Sequence, residues 1–251
     1  MTKPARILTI AGSDCSGGAG IQADLKTIAM LGGYGMSAIT AITAQNTLGV
    51  FAVEVLSTRM VAAQIEACVE DIGVDAVKIG MLGSAQIAHA VADRLERLTV
   101  PVVFDPVMIA TSGGLLADDA TIEAFARLMA MATLVTPNVP ELVALGGAQA
   151  LGAQGITFLA KGGDAEGPVV QDALHRPGIP PTFWHAPRID TRHTHGTGCT
   201  LASAIATGLG QGLGMVDAIE RGRAYVRAAL ETAPGFGGGH GPLGHPWRQG
   251  A

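Results

Sequence analysis

Charge, aromatic rings and sulfur are all scarce in this 251-residue chain. Asp, Glu, Lys and Arg together make up 15% of it, and Phe, Trp and Tyr 4%. It has four lysines (Lys3, Lys26, Lys78 and Lys161) and three cysteines (Cys15, Cys68 and Cys199). Each shortage excludes something. A net charge of −5 without any basic run makes nucleic acid an unexpected partner. Three cysteines with no paired spacing supply neither a zinc site nor a disulfide framework, and they fit a reducing compartment. No apolar run approaches the roughly 18 residues that span a bilayer, and Met1-Thr2-Lys3-Pro4 shows no signal peptide. The expectation is a cytoplasmic protein without a membrane partner. None of the lysines sits in a GxxxxGK[ST] loop, so any phosphate site follows another design.

Apolar mass and glycine are plentiful. Hydrophobic residues make up 48% of the chain, and there are 35 glycines, a composition suited to a well-buried α/β core. Residues 5–11 predict a buried strand ending in Gly12-Ser13-Asp14, and Gly17-Gly18-Ala19-Gly20 leads into a helix over 21–31. Further strands are predicted over 37–43, 50–56, 75–79, 100–104, 134–136 and 156–160, with peripheral strands over 169–174 and 182–186. Ser57 or Thr58 caps a helix whose apolar positions Val61, Ile65, Cys68, Val69 and Ile72 keep helical spacing. Helices are also predicted over 84–98, 118–131 and 215–232, and 235–251 reads as irregular. Strands alternating with helices imply a mainly parallel central β-sheet with helices on both faces. No linker or internal repeat divides the chain, so 1–251 reads as one domain.

The chain is organised around His195-Gly196-Thr197-Gly198-Cys199-Thr200 and the small-residue helix that follows. Glycines at 196 and 198 let backbone N–H groups approach a ligand closely. The helix start adds unpaired N–H groups and partial positive charge, which makes an anion site suited to phosphate. Cys199 lies in the first helical turn, where the dipole favours thiolate, so a thiol of lowered pKa is expected to take a proton from an alcohol. The alternative is a tight loop followed by a buried small residue.

Polar or glycine-rich groups recur at the ends of successive strands: Ser13/Asp14, Gln45/Asn46, Gly80/Met81, Asp105, Asn138/Glu141 and Lys161/Gly162/Gly163. The carboxyl ends of parallel strands share one edge, where ligands bind. A phosphate cradle, acids and one lysine there point to phosphoryl transfer from a nucleotide, which needs Mg²⁺ on oxygen ligands and cations on the phosphates. Asp105 and Glu141 are the metal candidates with Asn138 in support, although Glu141 equally suits a first helical turn as a dipole partner. Lys161, with Gly162, is the candidate for nucleotide phosphates or else an ordinary strand-end lysine. Gln45 can read a ring nitrogen beside an amino group. Asp24 is a candidate acceptor from a hydroxyl or amine, or else a solvated helical carboxylate. Met81 is a candidate to pack on a ring, or is simply core.

These stretches resemble one family in chain order. Residues 12–27 (GSDCSGGAGIQADLKT) resemble the N-terminal signature of hydroxymethylpyrimidine/phosphomethylpyrimidine kinases of thiamine biosynthesis. So do Thr43-Ala44-Gln45-Asn46-Thr47, Lys78-Ile79-Gly80-Met81-Leu82, Asp105-Pro106-Val107-Met108, residues 136–142 (TPNVPEL), Lys161-Gly162-Gly163, residues 195–200 and Gly239-His240-Gly241-Pro242. The resemblance implies a ribokinase-like fold, ATP with Mg²⁺, and a homodimer. It implies phosphorylation of 4-amino-5-hydroxymethyl-2-methylpyrimidine to the monophosphate and then the diphosphate. It places Gln45 on the pyrimidine with Asp24, Gly12 and Met81 nearby, makes Gly196, Thr197, Gly198 and Cys199 the anion hole, and gives Cys199 the place of a base. The chain departs from the pattern at Cys15, where serine is usual, and at Asp164, where histidine is usual. Residues 144–157 are short and glycine-rich, as if a helix were truncated. A pyridoxal or pyridoxine kinase of the same superfamily is the rival reading, followed by a pyrimidine-binding protein that has lost transfer. A cysteine hydrolase or redox enzyme lacks both a C-x-x-C pair and an orienting partner for His195.

Overall fold

The computed structural model describes residues 3–110, 114 and 116–245. Its elements run β1 (Arg6–Asp14), α1 (Gly20–Met30), β2 (Tyr34–Asn46), β3 (Gly49–Val55), α2 (Thr58–Ala67), β4 (Ala76–Ile79), α3 (Ala85–Leu95), β5 (Val102–Phe104) and α4 (Asp119–Met131). They continue as β6 (Leu134–Val135), α5 (Val139–Ala144), α6 (Gly147–Ala153), β7 (Phe158–Ala160), β8 (Val169–Arg176), β9 (Ile179–Pro187), α7 (Thr197–Gly210) and α8 (Met215–Glu231). Among the described residues the strands form one sheet in the order β3-β2-β1-β4-β5-β6-β7-β8-β9. The run from β2 to β7 is parallel, and β3, β8 and β9 are antiparallel additions at the two ends.

Adjacent residues of each strand face opposite layers, as the two-residue period of a strand demands. Leu8, Val77, Phe104, Val135 and Phe158 pack with α2, α3 and α4. Their neighbours Ile7, Ala76, Val103, Leu134 and Leu159 pack with α1, α7 and α8. This accounts for the nearly unbroken apolar strands in the sequence, because both faces of a parallel sheet are covered. Helix α7 lies deepest, with every residue from Thr200 to Gly208 buried. Its small side chains make this possible. A Cβ on Gly210 would lie 2.6 Å from Ile7 Cδ1, and one on Gly208 would lie 2.9 Å from Ala218 Cβ.

Several boundaries differ from those predicted. Strand β1 continues through Gly12-Ser13-Asp14 by way of a bulge after Ala11, and β2 extends to Asn46 because β3 pairs with it. Ser13, Asp14, Gln45 and Asn46 therefore sit in strand ends, not beyond them. The stretch read as holding a truncated helix contains the short α6, anchored by the fully buried Leu151. The expected helix over residues 58–72 ends at Ala67 and continues as one wider turn over Cys68–Ile72. Of the irregular C-terminal stretch, residues 246–251 lie outside the described residues.

Candidate active site

The site is assembled around one carboxylate. Asp14 is 1% exposed. Its Oδ1 accepts from the Ser16 N–H at 2.8 Å and the Ser16 hydroxyl at 2.7 Å. Its Oδ2 accepts from the N–H groups of Gly18 at 3.1 Å and Ala19 at 2.8 Å, and lies 2.8 Å from His195 Nε2. The loop after β1 thus wraps an anion and hands it to the residue that opens the central turn. Two glycines permit the approach. A Cβ on Gly18 would overlap the His195 ring, and one on Gly196 would overlap the Gly18 carbonyl oxygen. Gly196 also has φ +90, a left-handed conformation that favours glycine. Burial acts to raise the Asp14 carboxyl, but hydrogen bonds from His195, Ser16 and the loop N–H groups outweigh it and hold the group below its ordinary value.

The turn itself is anchored by Thr197, whose N–H and hydroxyl both donate to the Thr194 carbonyl oxygen, at 3.3 and 3.1 Å. Helix α7 has no side-chain N-cap. Among the described residues the N–H groups of Gly198 and Cys199 have no acceptor. Unpaired N–H groups at a helix start make an anion site. The turn faces the expected partners. The Cβ position of Gly198 lies 3.3 Å from Lys161 Nζ and 3.4 Å from Asp105 Oδ2. Lys161 Nζ is 2.7 Å from Asp105 Oδ1 and 3.8 Å from Glu141 Oε2. The Thr136 hydroxyl donates to the same Asp105 oxygen at 2.9 Å.

Asn138 and Glu141 cap α5 reciprocally. Each backbone N–H donates to the other's side chain at 2.8 Å. Glu141 is nonetheless a cavity carboxylate. Burial pushes it up to about 7, with Lys161 pulling down and Asp105 pushing up. Burial works to lower Lys161, but Asp105 and Glu141 hold its ammonium well above the ordinary value.

These groups line a cavity of about 840 Å³. Its lining includes Gly12, Gln45 and Met81 at the ends of β1, β2 and β4, and the apolar Val107, Met108 and Ile109 after β5. Met81 Sδ lies 2.6 Å from where a Gly12 Cβ would be, so the absent side chain leaves room for the sulfur. The Gln45 amide donates to Thr43 Oγ1 at 2.8 Å, and that hydroxyl donates to the Ser13 carbonyl at 2.9 Å. At the β8–β9 end stand Asp172, Arg188, Arg223 and Arg227.

Three expectations need correction. Asp24 does not reach the cavity. It is fully buried, with Lys78 Nζ 2.9 and 3.0 Å from its two oxygens and the hydroxyls of Thr9 and Ser203 donating to it at 2.5 and 2.7 Å. Its role is to neutralise Lys78, and its oxygens are fully occupied. Gly162 also lies outside the cavity lining: its N–H donates to Asp172 Oδ1 at 2.9 Å, and Gly163 and Asp164 line the wall instead. Cys199 lines the cavity, but its thiol is not acidified. Burial pushes it up to about 11; Lys78 and the Gly20 N–H oppose this, while Asp24 and Asp105 reinforce it. Desolvation outweighs the helix start.

Sequence spacing gives Asp14, Lys78 and Asp172 no role, although Asp14 and Lys78 lie within the stretches that carry the family resemblance. Nothing in sequence spacing pairs Asp14 with His195 across 181 positions.

An anion turn at the carboxyl edge of a mainly parallel sheet, sharing one cavity with a lysine–carboxylate cluster and with Gln45 and Met81, defines a small-molecule kinase of the ribokinase-like α/β class. The chain belongs to the phosphomethylpyrimidine kinase family, whose sequence profile matches residues 14–244. It is 44% identical over 261 residues to the hydroxymethylpyrimidine/phosphomethylpyrimidine kinase of Streptomyces coelicolor, covering 98% of this chain and 96% of that one. The phosphomethylpyrimidine kinase structure from Clostridium difficile is 40% identical with TM-score 0.75, covering 90% of this chain and 99% of that one. The pyridoxal kinase of Staphylococcus aureus in complex with AMP-PCP and pyridoxal is 31% identical with TM-score 0.89, covering 97% and 94%. The chain is a kinase that uses ATP on a small molecule.

The Asp14 environment predicts an acid-limb signature. Its folded pKa lies below the unfolded value of about 3.9, so its stabilisation is present above that value and is lost as pH falls through the folded one. Thermal unfolding of Asp14→Asn between pH 6 and 3 should show a shallower fall in Tm than wild type; identical slopes would contradict the assignment.

Proposed function

We propose that this kinase transfers the γ-phosphoryl group of ATP to the hydroxymethyl group of 4-amino-5-hydroxymethyl-2-methylpyrimidine, and then to the resulting monophosphate. The observation that carries this reading is the Gly196–Cys199 turn. Its free N–H groups share one cavity with Gln45 and Met81, and Gly198 stands directly beside the Lys161–Asp105 pair. Gln45 presents an amide whose Oε1 has no donor among the described residues, suited to accept from the exocyclic amino group while its second N–H donates to the ring nitrogen. Met81 packs on the ring face, and Gly12 leaves space for it.

The anion turn stabilises charge on the transferring phosphoryl group, which is where such catalysis acts. Lys161 stands on the donor phosphates with Asn138 alongside. Asp105 and Glu141 put two carboxyl groups beside one ammonium, and once Glu141 is ionised the excess negative charge is one that a hard cation balances. No cluster of three His, Cys, Asp or Glu side chains occurs among the described residues, so Mg²⁺ would be held by these two carboxylates together with phosphate oxygens and water. Bound there it screens phosphate charge. Cys199 takes the acceptor alcohol's proton, and with its thiol raised it does so through the fraction ionised at a given pH.

We also place the protein in the cytoplasm as a homodimer. Among the described residues all cysteines are free, and no helix is long and apolar enough to cross a membrane. The edge strand β3 exposes Phe51, Val53 and Val55, apolar side chains suited to a second copy of this chain. The pyridoxal-kinase neighbours favour a second reading, pyridoxal as acceptor.

ADP production with the pyrimidine alcohol, its monophosphate and pyridoxal, compared side by side, decides the acceptor. Turnover of pyridoxal alone rejects the pyrimidine reading. Gln45→Ala should raise the pyrimidine KM about tenfold, the effect of ~1.4 kcal/mol, and leave the ATP KM within twofold; an unchanged pyrimidine KM removes Gln45 from the pocket. For wild type, kcat on the alcohol should climb steadily from pH 7 to 9, and Cys199→Ala should flatten that climb. A wild-type profile already flat over this range contradicts the raised thiol as base. Light scattering should give twice the chain mass, falling to one chain mass in Phe51→Glu; a monomeric wild type contradicts the dimer.

A further inference from the structure

The proposed second transfer uses a different kind of acceptor. The monophosphate brings an ester phosphate, mostly dianionic at neutral pH, into a pocket that must also hold the donor's phosphates. An ester-phosphate oxygen forms the new bond to the γ-phosphorus while the bond from that phosphorus to the bridging oxygen of ADP breaks. ADP carries away the electron pair, and the fully ionised acceptor has no proton to lose. The demand that sets this step apart from the first is electrostatic: something must receive the ester phosphate on the acceptor side.

The side chains lining the cavity that can carry positive charge are Lys161, Arg188, Arg223, Arg227, His195 and His240. Four of them belong to the donor half. Lys161 is matched by Asp105 and Glu141. Arg223 is paired with Asp172 at 2.6 Å. Arg188 donates to the carbonyl oxygens of Gly163, Ala165 and Gly167, stitching the loop after Lys161. Arg227 donates to the Pro187 carbonyl, at the end of β9. On the acceptor half His195 is occupied by Asp14. Among the described residues His240 has no carboxylate partner, and its ring hydrogen-bonds only the Thr194 hydroxyl, at 3.3 Å.

The backbone around His240 is tied both to the Gln45 strand end and to the anion turn. Its N–H donates to the Thr47 carbonyl at 3.0 Å, two residues beyond Gln45, and the adjoining Gly241 carbonyl accepts from the His195 N–H at 3.1 Å. This glycine-rich strap therefore spans the Gln45 strand end and the anion turn. The glycines flanking His240 make the fit possible. A Cβ on Gly239 would overlap the Thr47 carbonyl, and one on Gly241 would overlap the His193 ring. When Nδ1 accepts from the Thr194 hydroxyl, Nε2 carries the ring N–H and is the donor left to the exposed ring.

From this arrangement we infer that His240 is the acceptor-side ligand for the ester phosphate of the monophosphate, and so a specificity residue of the second transfer. The inference rests on the pyrimidine reading above. It assigns a task to the Gly239-His240-Gly241-Pro242 motif, which no other part of the mechanism uses.

The test is kcat/KM for the alcohol and for its monophosphate, measured with saturating ATP and Mg²⁺ on wild type, His240→Ala and His240→Gln. Because the His240 side chain is exposed, both variants should fold, which circular dichroism checks. The ratio of monophosphate to alcohol kcat/KM should fall at least tenfold in His240→Ala, mainly through the monophosphate KM. Glutamine, which keeps an N–H donor near Nε2, should recover part of that ratio. A ratio within threefold of wild type in His240→Ala, or an equal loss with both acceptors, overturns the inference and leaves the pyrimidine reading standing. Wild type that turns over neither acceptor overturns both.

Discussion

Everything at the catalytic edge depends on the buried carboxylate of Asp14. Folding the loop after β1 around it satisfies backbone N–H groups that would otherwise be stranded, and its contact with His195 ties residues at opposite ends of the chain. That tie sets the Gly196 turn against the Gly18 carbonyl, at a separation that leaves no space for a Cβ. A buried charged group with most of its hydrogen bonds made is rigid because every alternative position strands a donor or the charge itself. The free N–H groups of Gly198 and Cys199 are thereby fixed in advance of any ligand, which is the condition for electrostatic stabilisation without reorganisation.

Beneath the turn a second buried charge pair performs a related task. Lys78 from β4 and Asp24 from α1 meet below α7, and Ser203 binds the same carboxylate one helical turn beyond Cys199. Removing one partner of such a pair costs about 3–5 kcal/mol, so the pair enforces one arrangement of strand and helices. Burial decides the character of Cys199, and the pair only adjusts it. Lys78 favours thiolate, Asp24 and Asp105 oppose it, and burial dominates. The site is organised first around N–H groups and only second around an acid–base residue.

Much of this was legible in the residues. Opposite-facing apolar pairs such as Ile7/Leu8 and Ala76/Val77 read directly as strands covered on both faces, and the clustering of polar groups at strand ends located the cavity edge. Three things were not legible, for physical reasons. A carboxylate on a helix after a glycine loop looks the same whether it faces a ligand or an ammonium 54 positions away, so Asp24 was misassigned. A helix start is visible in sequence while the depth at which it lies is not, so Cys199 was expected to be acidic. Strand lengths at β1 and β2 followed from a bulge and a neighbouring strand, both tertiary events. The shortened stretch before β7 still formed a helix because one leucine, Leu151, reaches the core.

The central claim is that the N–H groups of Gly198 and Cys199 receive the phosphoryl group in flight. A crystal structure with ADP, Mg²⁺, the pyrimidine alcohol and aluminium fluoride tests it most directly. The account predicts fluoride ligands about 2.7–3.1 Å from those two nitrogens, with the alcohol oxygen on the opposite side of the aluminium from ADP. A fluoride complex seated elsewhere in the cavity, with both N–H groups facing only water, would contradict it.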